Sequence, residues 1–211
     1  ENTLKVIIVG AGFSGICMGI QLRLNGIEDF IIIEKGQQVG GTWWDNKYPG
    51  AECDVESHLY SFSFEPNPNW SRVYSGSDEI HQYLIYCAEK HGLYNHIRFE
   101  ETALEAHFHS NGEWTLTTSK HKYRARFLVF SSSPLHYPSY PLIYGLDSFS
   151  GKIMHTSHWD SSYPLQGKKI AMIGCGASGI QVAPHLQRVA SHLTIFQRTP
   201  QWIGPKGNRS F

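Results

Sequence analysis

No run of apolar residues in this 211-residue sequence approaches the ~20 needed to cross a bilayer, and the residues before Leu4 do not read as a leader of charged, apolar and small residues, so none is expected. There is no basic block and no acidic tail. The 18 basic and 18 acidic residues cancel, so the electrostatic footprint of a nucleic-acid or anionic-membrane partner is missing. Cysteine is scarce: Cys17, Cys53, Cys87 and Cys175 form no CxxC pair, and reduced thiols of a cytoplasmic protein are the expectation. Histidine is plentiful, but no HExxH occurs. His155 with His158, and His107 with His109, lack further ligands at metal spacing, so no metal site is expected. His107 and His109 stand two apart in a strand expected at 104–109, on one face, and read as surface residues.

The length allows one large or two small domains, and a single domain of this size buries about 70% of its unfolded surface. Against this unremarkable background two segments share one grammar. Gly10-Ala11-Gly12-Phe13-Ser14-Gly15 leads to Glu34, and Gly174-Cys175-Gly176-Ala177-Ser178-Gly179 leads to Arg198. From the third glycine to the terminal charge the distance is 19 residues in both. Each reads as strand, glycine turn, helix, strand: 4–9, 14–25 and 30–33 in the first, 169–173, 178–189 and 193–196 in the second. That is the dinucleotide-binding βαβ signature, twice.

The first glycine of such a turn permits a tight bend, the second lets backbone N–H groups approach a pyrophosphate, and the third lets helix and strand pack closely. The helix N-terminus adds partial positive charge. A carboxylate such as Glu34 accepts hydrogen bonds from a ribose diol and repels a 2′-phosphate, whereas the Arg198 guanidinium attracts one. The first unit is therefore expected to hold an unphosphorylated adenosine and the second NADP(H). The alternative is a duplicated scaffold with empty turns.

Residues 39–64 are aromatic and glycine-rich, too irregular for one helix or strand, and read as a loop. A helix is expected over 78–91, since Ile80, Tyr83, Leu84, Cys87 and Ala88 recur at three- and four-residue intervals. Gly92 stops it. Between 97 and 130, alternating segments at 114–118 and 123–129 read as an antiparallel meander joined by Asn111-Gly112 and Ser119-Lys120-His121 turns. Pro134, Pro138 and Pro141 mark an extended connector leading to a domain boundary near residue 145.

Between the two units, residues 149–160 read FSGKIMHTSHWD, which fits FxGxxxHxxxW followed by Pro or Asp. With the flanking GxGxxG turns, the sequence resembles the type I Baeyer-Villiger monooxygenases of the flavin-containing monooxygenase superfamily, along essentially its whole length. Gly41-Thr42-Trp43-Trp44 through Tyr48-Pro49-Gly50-Ala51 to Asp54 resembles a second motif of that family.

The resemblance implies an α/β fold with two Rossmann-like dinucleotide-binding βαβ units, FAD-type then NADP-type, and an inserted antiparallel β-meander. Its domains would be an incomplete FAD-binding domain at 1–145, a linker with the fingerprint at 146–167, and the first βαβ unit of an NADP-binding domain at 168–211. It implies that NADPH reduces FAD, that oxygen adds to the reduced flavin, and that the oxygenated flavin converts a ketone to an ester or lactone. Gly10, Gly12, Phe13, Gly15 and Glu34 would hold adenosine and pyrophosphate. Thr42, Trp43, Trp44, Asp45, Asp54 and Tyr60 would approach the ribityl chain and flavin ring. Gly174, Ala177, Ser178, Gly179, Gln181, Gln197, Arg198 and Thr199 would hold NADP(H). Asp54 would lie beside the flavin and need a cation. His155 would help couple domain movement to catalysis, or serve only as a hydrogen-bonded structural histidine.

The sequence departs from that family in three ways. Members are longer, so the C-terminal half of the family fold is expected to be absent, and no arginine here is assigned as the partner of Asp54. Ser133 replaces a glycine in the turn after the meander, and Glu52 stands where arginine is frequent. Exposed apolar surface then predicts a homo-oligomer or a complementing polypeptide. Three functions follow: an oxygenase acting on a small apolar ketone, a flavin-independent cyclase, isomerase or dehydratase on the same fold, and a non-catalytic nucleotide-binding remnant.

Overall fold

The computed structural model describes residues 3–133 and 137–211; Pro134 of the proline-rich connector lies outside the described residues. Packing divides the chain into two units. The first takes in residues up to 44, 62–65 and from 80 into the connector, and the second 45–61, 66–79 and 137–211. The prolines of the connector place the change of domain near residue 145 in the sequence reading.

The first unit starts with β1 (Leu4–Val9), α1 (Phe13–Leu24) and β2 (Phe30–Ile33). A one-turn helix, α2 (Thr42–Asp45), breaks the aromatic loop; α3 (Ser77–Lys90), β3 (Ile97–Arg98), β4 (Ala103–Phe108), β5 (Trp114–Thr118) and β6 (Lys122–Phe130) follow. The six strands form one sheet in the order β3-β2-β1-β6-β5-β4. Ile7, Ile8, Ile32 and Ile33 are essentially inaccessible to solvent, which is why β1 after Lys5 and all of β2 read as unbroken apolar runs: a parallel sheet is covered on both faces. Ile16 and Ile20, four apart on α1, are equally buried. On α3, Ile80, Tyr83, Leu84, Cys87 and Ala88 form the buried stripe that the periodicity required.

The meander forms, and its last strand does more than the sequence reading assigned to it. β4 and β5 pair antiparallel, as do β5 and β6. But β6 continues past the meander and pairs parallel with β1, Val6 opposite Phe127 and Ile8 opposite Val129. Alternation along a strand tells which face is buried and nothing about the direction of its neighbour. The helices α1 and α3 each begin one residue earlier than expected.

Glu65 fastens the end of α3. Its carboxylate accepts from the Lys90 ammonium at 2.7 Å and pairs with His91 at 3.0 Å. The Lys90 hydrogen bond holds this carboxyl below the usual range, against the opposing effect of burial.

The second unit contains β7 (Lys169–Ile173), α4 (Ala177–Val189) and β8 (His192–Phe196), with β7 and β8 parallel in the register Lys169 to His192. Val182 and Leu186 of α4 are buried with Tyr48 and Ala51, and Trp159, Ile170, Met172 and Leu193 pack around them. After β8 the chain has no helix. Its last residues are pinned to the 71–74 stretch: the Val73 amide donates to Arg209 O at 3.0 Å, and the Phe211 amide to Ser71 O at 3.2 Å.

Candidate functional site

In the first unit, Gly10 has φ +102° and donates its amide to Ile33 O at 2.8 Å, bending the chain sharply off β1. A Cβ on Gly15 would lie 1.8 Å from Gly10 O, so α1 sits directly on the turn and tolerates no side chain there. Gly12 is different. Its φ is −81°, open to any residue, and a Cβ there would meet only Gly41 Cα at an ordinary 3.7 Å. Among the described residues nothing requires glycine at position 12, which leaves a half-buried backbone cradle at the start of a 12-residue helix.

Glu34 lies just past β2 and is buried, 7% exposed. Its Oε2 accepts the Ala11 amide and its Oε1 the Gly36 amide, both at 2.7 Å. The carboxylate thus shapes the glycine turn, a role that motif spacing did not disclose. Each oxygen retains a second lone pair.

The Gly40 amide donates to Ala11 O at 2.9 Å and ties the aromatic loop to the turn. Thr42 and Trp43 begin α2, and the Trp44 ring centroid lies 5.3 Å from that of His81. Phe13 points into an aromatic cluster, 5.3 Å from Phe62 and 6.2 Å from Tyr83. Asp45, Asp54 and Tyr60 belong to the second unit; the Tyr60 amide closes a short turn by donating to Ser57 O.

The second turn repeats the first. Gly174 has φ +98°, its amide donates to Phe196 O at 2.8 Å, a Cβ on Gly179 would lie 3.0 Å from Gly174 O, and one on Gly176 would meet nothing within 4 Å. Cys175 donates its thiol to Gln197 Oε1 at 3.2 Å, with Thr199 O at 3.6 Å. Arg198 is exposed just beyond β8. Ala177 and Ser178 open α4.

Gln181, one turn into α4, joins the helix to the 48–54 loop. Its Nε2 donates to Glu52 O at 2.9 Å and to Asp54 Oδ1 at 3.4 Å, and its Oε1 accepts from the Tyr48 hydroxyl at 2.7 Å. Burial, more than the nearby Asp54 and Glu52 charges, pushes the Tyr48 phenol up, while a Ser178 hydrogen bond opposes the shift. Gly50 has φ +83°, and a Cβ there would come within 2.7 Å of Gln181 O.

The cation beside Asp54 is Lys206. Its Nζ lies 3.2 Å from Asp54 Oδ1 and 2.9 Å from Glu52 Oε1, donates to Cys53 O at 2.8 Å, and stands 4.5 Å from the Tyr74 ring centroid. Asn208 donates to the other Glu52 oxygen at 2.9 Å. Sequence reasoning sought an arginine and missed this lysine; nothing in the irregular stretch after Arg198 marks it beforehand.

In the fingerprint, the Phe149 ring covers Gly151, where a Cβ would come within 2.5 Å of it, and Trp159 packs on the core of the unit. The Ser157 amide donates to His155 Nδ1 at 3.2 Å, so the neutral ring carries its proton on Nε2. Burial first, and His158 second, hold His155 below the usual histidine range. Lys152 pairs with Asp160 at 2.7 Å.

A cavity of about 800 Å³ in this second unit is lined by Glu52, Asp54, Arg72, Ala177, Ile180, Gln181, Pro184, His185, Trp202 and Lys206, among others. A second, of about 620 Å³, shares Gly50, Ala51, Arg72 and Gly76 with it.

Two glycine turns of the same geometry, each on a parallel βαβ unit, define an α/β protein of the class built around paired dinucleotide-type turns. The chain belongs to the pyridine nucleotide-disulphide oxidoreductase family, matched over residues 7–210. It is 44% identical over 208 residues to a Baeyer-Villiger monooxygenase of Streptomyces coelicolor, covering 98% of this chain and 40% of that protein. Among solved structures, it resembles OTEMO in complex with FAD and NADP at TM-score 0.93 and 33% identity, covering 100% of this chain and 42% of the other. It is equally similar to a closed cyclohexanone monooxygenase, at TM-score 0.93 and 35% identity, with 100% and 41% covered. The chain therefore spans about two fifths of the length of these relatives. Among the described residues no helix is long and apolar enough to cross a membrane.

Proposed function

We propose that the first glycine turn binds FAD, that the second binds NADP(H), and that the chain contributes both sites to an oxygenase converting a ketone to an ester or lactone. The observation that carries this reading is the shared geometry of the turns: the outer glycines are demanded by the protein, whereas Gly12 and Gly176 face open cradles that a Cβ would enter without meeting more than ordinary contact. A phosphate fits such a cradle at a helix N-terminus. The names of the solved relatives support the pair of cofactors and the ketone.

FAD, when bound, supplies hydride acceptance and oxygen activation. Gly10, Gly12, Phe13 and Gly15 offer backbone to its pyrophosphate, and Glu34 offers its remaining lone pairs to the ribose. Thr42, Trp43, Trp44, Asp45, Asp54 and Tyr60 would line the rest of that cofactor. In the second unit Gly174, Ala177, Ser178, Gly179, Gln181, Gln197 and Thr199 would hold the dinucleotide, with the Arg198 guanidinium on its 2′-phosphate. Lys206 holds the Asp54 side chain in place at 3.2 Å, and His155 is a positioning residue.

Apolar side chains at Phe127, Phe130, Ile173 and Phe196 are more than half exposed, which supports pairing with a second copy or a complementing polypeptide. Light scattering at micromolar concentration tests this; a monodisperse monomer would count against it. Oxygen-dependent NADPH consumption stimulated by a ketone tests the reaction. Substrate conversion without flavin would point instead to non-redox chemistry.

A further inference from the structure

Four charged side chains line the larger cavity, and they are unequally satisfied. Glu52 and Asp54 both turn to Lys206, at 2.9 Å and 3.2 Å, and Asn208 and Gln181 donate to them as well. In the adjoining cavity Glu79 is spent on Ser71, accepting its amide at 2.7 Å and its hydroxyl at 2.9 Å. Of the two cations that line the larger cavity, Lys206 is paired, whereas Arg72 has no carboxylate within ion-pair distance among the described residues; Arg72 lines the adjoining cavity as well.

Its backbone is fixed all the same. Arg72 O accepts the Ser57 hydroxyl at 2.8 Å, and the residue bridges to Ser210. Arg72 is thus an exposed residue with an anchored backbone, shared by the linings of two cavities and without an ion pair among the described residues. The same cavity has an apolar side, to which Ile180, Pro184 and the fully exposed Trp202 contribute.

We infer that this cavity takes an amphipathic anion, its carboxylate forked onto Arg72 and its carbon chain laid toward Trp202. On the oxygenase reading above, on which the ketone part rests, the substrate class becomes keto acids in place of neutral ketones. A guanidinium is suited to this because it binds a carboxylate by two parallel hydrogen bonds. The carboxylates already at the site cannot compete, because Lys206, Gln181 and Asn208 hold them.

The test is calorimetric titration of the full chain with oxodecanoate, with its methyl ester, and with NADP+, which needs no turnover. The acid is expected to bind about tenfold more tightly than the ester, as one charge-assisted hydrogen-bond pair requires. Arg72→Gln should abolish that preference, Arg72→Lys should keep part of it, and both should leave NADP+ affinity and the thermal midpoint unchanged. Equal affinity for acid and ester overturns the proposal. So does a loss of NADP+ binding in Arg72→Gln with the acid unaffected, since the anion would then be a dinucleotide phosphate. If the acid preference holds while NADPH fails to reduce any bound flavin, the anion site stands and the oxygenase reading falls.

Discussion

The Lys206 ammonium lies 3.2 Å from the Asp54 carboxylate, across 152 positions of sequence. It also draws Glu52 to the same point, so two carboxylates that would repel each other share one cation. Lys206→Met should leave both unscreened and release the stretch after β8. We expect a loss of about 1 kcal/mol, as for a partly exposed pair, with faster proteolysis between residues 199 and 206. Lys206→Arg should restore both readouts; unchanged proteolysis in Lys206→Met would dismiss the tether.

The glycines make a sharper contrast. Gly15→Ala puts a methyl 1.8 Å from Gly10 O and should cost at least about 3 kcal/mol in a urea melt. Gly12→Ala meets only a 3.7 Å contact and should stay within about 0.5 kcal/mol of the parent while losing FAD. Retention of FAD by Gly12→Ala would show that the cradle is not where the pyrophosphate sits.

Glu34→Gln replaces a carboxylate that accepts two amides by an amide that presents a donor to one of them. One N–H of the turn is left without an acceptor, a cost of about 1–3 kcal/mol. Both the thermal midpoint and FAD affinity should fall together, because the proposed ribose acceptor is also the side chain that builds the turn. A change in affinity alone would remove the structural half of this account.

Acid should find His155 early. Its folded pKa is depressed, chiefly by burial, so the unfolded chain takes up a proton at higher pH than the folded one. The contribution to stability is present above the ordinary histidine value, about 6.5, and is lost as pH falls from there through the depressed folded value. His155→Gln should flatten the dependence of the midpoint on pH between about 7 and 5. An unaltered slope would place the titration elsewhere.

Arg198→Glu should weaken NADPH binding about tenfold or more while leaving NADH nearly unaffected, since only the former carries the 2′-phosphate. Equal weakening of both would refute the assignment of Arg198.

The two βαβ units were legible because glycine spacing and the charge 19 residues on are fixed by local backbone geometry. Three features were not. Strand alternation could not say that β6 leaves the meander for the parallel sheet, because direction is set by the partner β1. Glu34 reads as a ribose acceptor in any such motif; its grip on the Ala11 and Gly36 amides depends on how the turn curls over β2. Lys206 and Arg72 lie in stretches without periodicity, and long-range packing alone brings them to the wall of one cavity.

The central claim, that the two turns hold a flavin and its reductant, is tested most directly by the absorption spectrum of the purified protein with added FAD, before and after NADPH. The account predicts oxidised-flavin bands that stay with the protein through gel filtration and bleach on adding NADPH. Absence of flavin bands at excess FAD would contradict it and leave the paired turns as scaffold.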